Sequence, residues 1–121
     1  MTTVGKLARI ALGLIRLANG AIGLVAPQVI TRRFTEEAPP VAAYALRMFG
    51  IRTVLVAFDL LRRDGPDRRH AIRVAPAIHA SDLLGAILVA RMPGVPRQTG
   101  MMIVGISALN TLLALLMQRA K

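Results

Sequence analysis

The sequence predicts an all-α fold: an integral membrane four-helix bundle of two antiparallel transmembrane hairpins, with both termini cytoplasmic. Three observations carry this prediction. The 121 residues are 55% hydrophobic but only 3% aromatic, and the mean hydropathy is +0.55, a balance uncommon in a soluble domain of this length. Four apolar stretches reach the roughly 20 residues that a helix needs to cross a hydrocarbon core. Turn-forming residues separate them, and arginines collect at their ends rather than along one continuous face.

The first span covers about residues 5–26 and stops at Pro27. Its start, MTTVGKLAR, resembles the basic opening of a signal peptide. Arg16 interrupts the apolar run and no small-x-small cleavage site follows, so an uncleaved first span is expected. Residues 28–38 (QVITRRFTEEA) read as a short interfacial helix or loop. The second span, about 41–61, is entered through Pro39-Pro40, which a helix start tolerates. The third, about 70–91, follows the turn-like Asp64-Gly65-Pro66-Asp67. The fourth, about 98–118, follows Met92-Pro93-Gly94-Val95-Pro96 and is free of charge from Gly100 to Met117.

The net charge of +10 invites a nucleic-acid reading. No aromatic residues interleave with the arginines to stack on bases, so no nucleic-acid partner is expected. The charges instead set an orientation. Lys6, Arg9, Arg62, Arg63, Arg68, Arg69, Arg73, Arg119 and Lys121 fall on one side. Arg32, Arg33, Arg91 and Arg97, with Glu36 and Glu37, fall on the other. The positive-inside rule then puts both termini in the cytoplasm. This asymmetry, and a first span without an acidic residue, argue against the dual-topology small multidrug exporters. Absence of cysteine excludes disulfides and thiol chemistry.

Helical spacing gathers the polar residues onto faces. Lys6, Arg9, Gly13, Arg16, Gly20 and Gly23 form one stripe of the first span. Its small residues suit close helix approach, so the stripe is expected to face the bundle. Ala75, His79, Asp82 and Ala86 repeat the pattern in the third span, and Ser107, Asn110 and Ala114 in the fourth. At 1.5 Å per residue, Arg16, Arg52 and Asp82 each lie roughly 15 Å from the outer boundary. Asn19 and Asn110 fall within about a turn of that level.

Charges at such depth need partners. Arg52 leans toward the N-terminus of its helix and away from Asp59. The expected ion pairs are therefore Arg52 with Asp82 and Asp59 with Arg73, while Arg47 snorkels outward. Arg16, Asn19, Arg52 and Asn110 are candidate ligand-binding residues. His79 and Asp82, three residues apart, are a candidate base and its orienting partner. Pro76 is expected to kink the third span. His79 has no second axial ligand at matching depth for a haem, since His70 lies near the surface. No metal is expected, and no cofactor is indicated.

Arg47-Met48-Phe49-Gly50-Ile51-Arg52 resembles an R-x-x-G-x-R element that opens the second span of small bacterial four-span proteins. These are the family catalogued as DUF4267 and the broader DoxX-like group. The resemblance implies a four-span fold of this length with an acidic residue in the third span, here Asp82. Thr53 departs from the pattern, which has an acidic residue after the second arginine. The resemblance implies no settled activity.

Three functions remain open. The first is an accessory or interaction subunit, or a binder of a lipid-like ligand, with membrane lipid, a second copy or a larger membrane protein as partner. The second is a membrane-embedded isomerase or cyclase acting on a hydrophobic small molecule through His79 and Asp82, with an arginine steadying an oxyanion. The third is a dimeric proton- or solute-coupled transporter.

Overall fold

A computed structural model describes residues 2–118. Arg119 and Lys121, counted among the inner cations, lie outside the described residues. Five helices follow one another, and no strand occurs among the described residues: α1 (Thr3–Val25), α2 (Pro27–Thr31), α3 (Pro40–Leu61), α4 (Pro66–Ala90) and α5 (Arg97–Gln118). All but α2 are long and apolar enough to cross a membrane.

The ends of these helices follow from local chemistry. The Thr2 hydroxyl accepts the Gly5 N–H at 3.1 Å and caps α1. Pro27 ends α1 and opens α2, which is a single turn; the chain from Arg32 to Pro39 continues as turns and bends. Helix α4 begins at Pro66, four residues ahead of the expected span. Proline fits the first helical position because its missing N–H has no partner there, and Asp67 complements the N-terminal dipole. The same Gly-Pro-Asp run that reads as a turn is thus also a helix start. Gly94, at φ 90°, makes the turn between α4 and α5.

The helices pack as two pairs. Helix α1 lies along α3, α4 lies along α5, and α1 joins the pairs through α5. Helices α3 and α4, although consecutive, touch little. The tightest crossing is glycine on glycine. A Cβ on Gly50 would lie 2.5 Å from the Leu24 nitrogen and 2.6 Å from the Gly20 carbonyl oxygen. Only the absence of side chains at Gly20 and Gly50 lets these backbones meet.

The apolar core sits at the end of the bundle that holds the start of α1 and the end of α5. Ala8, Leu12, Leu60, Ala71, Ile72, Ala75, Ala114 and Met117 form it, drawn from all four long helices. Leu7, Leu14, Leu55, Phe58, Leu84, Leu88, Leu112 and Leu115 are each more than half exposed, so large apolar side chains cover much of the outer faces. Of the α1 stripe, Arg9, Gly13, Arg16, Gly20 and Gly23 are buried as the spacing predicts, whereas Lys6 is exposed.

Side-chain hydrogen bonds to backbone carbonyls join the helices. Pro76 lies inside α4 without ending it. Having no N–H, it leaves the Ile72 carbonyl without its helical donor. Gln118 supplies one: its side-chain amide donates to the Ile72 carbonyl at 2.6 Å and to that of Ala114 at 3.2 Å. The Thr111 hydroxyl lies within hydrogen-bond distance of the carbonyls of His79 (3.0 Å) and Ser107 (2.8 Å) and donates to one of them at a time. Arg9 donates to the Leu60 carbonyl, one of the last four of α3 and so without a partner inside its helix. Thr99 ties the loop after α2 to α5 by donating to the Arg33 carbonyl at 2.7 Å.

Candidate functional site

Where α3 and α4 diverge, a cavity of about 520 Å³ opens to the side of the bundle. Its polar lining is Arg16 from α1, Arg52 and Thr53 from α3, and Asp82 from α4. Its apolar lining is Ala45, Met48, Phe49 and Val56 from α3, with Ile78 from α4. The α3 residues recur at steps of three and four, so they occupy one face of that helix.

Arg16 is the centre of the site. Its residue exposure is 6%, although it lies in the middle of an apolar helix. One terminal nitrogen donates to the Thr53 hydroxyl at 3.3 Å. The other stands 3.6 Å from an Asp82 carboxylate oxygen, an ion-pair contact longer than a hydrogen bond. The guanidinium carbon lies 5.5 Å from the centre of the Phe49 ring, within cation–π range. Arg16 Nε has no partner among the described residues. Asp82, with its side chain 42% exposed, faces the open side.

Both expected ion pairs are replaced. Asp82 pairs with Arg16 and not with Arg52. The small contact between α3 and α4 keeps Arg52 on its own wall of the cleft, while Arg16 reaches between the two helices from α1. Arg52 is exposed and makes no ion pair or hydrogen bond among the described residues. Asp59 pairs with Arg62, three residues along the chain, at 3.4 Å, and not with Arg73. Arg62 also binds Asp67 at 2.8 Å, so the loop between α3 and α4 brings a cation to Asp59 before α4 can. Arg73 is exposed.

The other candidates lie apart from the cleft. His79 is 1% exposed and does not line it; neither ring nitrogen has a hydrogen-bond partner among the described residues, so the imidazole is not bonded to Asp82. Asn110 is 3% exposed, with its Oδ1 unpartnered, and also lies off the cleft. Asn19 is half-buried on α1 and is not part of the lining. Arg47 is exposed. Among the described residues no group of three His, Cys, Asp or Glu side chains could hold a metal ion.

Comparison of the chain with protein-family models, with curated proteins and with solved structures returns no match. Thr53 and Phe49, which the sequence reading did not select, are the α3 groups that hold the Arg16 guanidinium. Their signal was present: they lie four apart, on the same face as Arg52. The cleft joins two guanidinium groups, one carboxylate and a hydroxyl to an apolar wall. Such a set can orient a polar head while sheltering a hydrophobic body.

Proposed function

We propose that this chain is a small multi-pass protein of a bacterial plasma membrane whose lateral cleft holds a lipid-like ligand. The observation that carries the reading is Arg16, a buried cation in mid-helix, on the wall of a cavity that opens sideways between α3 and α4. Charged groups at such a depth are costly unless they face a partner or a polar cavity, and they concentrate at functional sites.

The surrounding structure agrees with membrane residence. Leucines cover the outer faces of the helices. The carbonyl freed by Pro76 takes a donor from a neighbouring helix, as backbone groups must where no water is at hand. The cation-rich end bearing Lys6, Arg62, Arg63, Arg68, Arg69 and Arg73 is assigned to the cytoplasm. Because the chain has no cysteine, single cysteines at Arg63 and Arg97 test that orientation directly. A membrane-impermeant maleimide added to intact cells labels Arg97→Cys and spares Arg63→Cys in this account, and the reverse labelling inverts the topology.

Kinship with the DUF4267 and DoxX-like proteins is part of the same proposal. Gly50 makes the helix crossing, and Arg52 and Asp82 face the cleft. The isomerase reading has less support, since His79 lies outside the cavity and has no bond to Asp82. Native mass spectrometry after extraction in a mild detergent tests ligand binding. A retained amphiphile, released when Arg16 is replaced by Met, is the expected result. Bare protein, from preparations in which other membrane proteins keep their lipids, contradicts it.

A further inference from the structure

We infer that the cleft selects a single-chain amphiphile whose head carries one negative charge, a carboxylate or a phosphodiester. The inference rests on the ligand-binding reading above and adds the chemical class of the ligand.

Charge gives the head. Arg16 and Arg52 face Asp82 across one cavity, which leaves one cation in excess. Asp82 is already taken by Arg16 at 3.6 Å, and Arg52 has no partner among the described residues. A singly charged head neutralises the site. A doubly charged one overshoots it, and a neutral or zwitterionic one leaves the excess unmet in apolar surroundings. The Arg52 guanidinium fork matches two oxygens on one centre, which both a carboxylate and a phosphodiester provide. The Thr53 hydroxyl, which accepts from Arg16, keeps its own proton to donate.

Shape gives the tail. From Arg52, the apolar wall of Phe49, Met48 and Ala45 runs about 10 Å toward the N-terminus of α3. In the opposite direction it ends at Val56, about 6 Å away. The tail therefore lies along this wall and leaves the cleft through its open side. At about 30 Å³ for a water-sized group, a cavity of about 520 Å³ holds about 17 such groups, which one palmitoyl chain fills, leaving a bulkier head at the open side.

The test is a competition series on the full chain in nanodiscs. The probes are palmitate, 1-palmitoyl lysophosphatidylglycerol, 1-palmitoyl lysophosphatidylcholine, methyl palmitate and dipalmitoyl phosphatidylglycerol. Palmitate and lysophosphatidylglycerol are expected to bind at least about tenfold tighter than the zwitterionic and neutral probes of equal chain length. The better of the two identifies a carboxylate or a phosphodiester as the source. Two-chain phosphatidylglycerol is expected to compete poorly. Arg52→Gln is expected to reduce the anion preference to below about twofold. Equal binding of palmitate and methyl palmitate to the native chain overturns the inference while leaving a ligand-binding cleft in place. Retention of the full anion preference by Arg52→Gln overturns it as well. Failure of every probe to bind overturns the ligand-binding reading itself.

Discussion

If Gln118 is the donor that replaces the N–H missing at Pro76, the two residues are energetically coupled across two helices. Gln118→Met keeps the length and apolar stem of the side chain but removes the amide that reaches Ile72 at 2.6 Å and Ala114 at 3.2 Å. A buried carbonyl left without a donor costs about 1–3 kcal/mol. Hydrogen bonds between membrane helices average about 0.6 kcal/mol. The Ala114 carbonyl has its own helical donor, so nearly all of the loss falls on Ile72. The expected cost is about 1–2 kcal/mol. In a Pro76→Ala background the N–H of residue 76 returns to the Ile72 carbonyl, and Gln118→Met becomes nearly neutral. Reversible unfolding of the four variants in mixed micelles gives the coupling energy of the cycle, expected at about 1 kcal/mol. An equal cost of Gln118→Met in both backgrounds would refute the reasoning, because the Gln118 amide would then be acting independently of Pro76.

Three further outcomes follow from the packing and the cleft. Gly50→Ala places a methyl group within 2.9 Å of three backbone atoms of α1 and is expected to lose about 1–3 kcal/mol, measured against Gly105→Ala, whose Cβ meets nothing within 4 Å. Equal stability of the two variants contradicts the crossing. Asp82→Asn removes the carboxylate beside Arg16; with that side chain 42% exposed, a loss of about 1–2 kcal/mol is expected in the same assay, smaller than for a fully buried pair. Arg16→Met combined with Asp82→Leu is expected to recover most of that stability and, with Arg52 left as the one charged group of the cleft lining, to keep the anionic ligand. His79→Leu is expected to be neutral or stabilising and to leave ligand retention unchanged, because it removes two unpartnered buried nitrogens; loss of retention would assign the imidazole a direct role.

The long apolar helices and their inward faces were legible in the sequence because both follow from composition and a 3.6-residue period. Arg9, Gly13, Arg16, Gly20 and Gly23 needed no knowledge of their partners to be placed on one face. The relative level of residues along the helices was legible too, since it follows from the helical rise, and Arg16, Arg52 and Asp82 line one cavity. Which of the two arginines takes Asp82 depends on the order of helices around the bundle and on the gap between α3 and α4. Neither leaves a mark on a single helix. The Asp59 prediction failed for a related reason, since it assumed that α3 and α4 approach closely enough for Arg73 to compete with the local Arg62. Pro76 signalled a disturbed helix, but its remedy at Gln118 lies 42 positions away in a different helix and carries no local signature.

The central claim, that an amphiphile occupies the cleft between α3 and α4, is tested most directly by photo-crosslinking in native membranes. A fatty acid bearing a diazirine along its chain is supplied to cells, activated by light, and its attachment sites are read by peptide mass spectrometry. Attachment is expected to concentrate at Ala45, Met48 and Phe49 and to fall sharply in Arg52→Gln. Attachment spread evenly over outward-facing Leu55, Leu84, Leu112 and Leu115, and unchanged by Arg52→Gln, would contradict it.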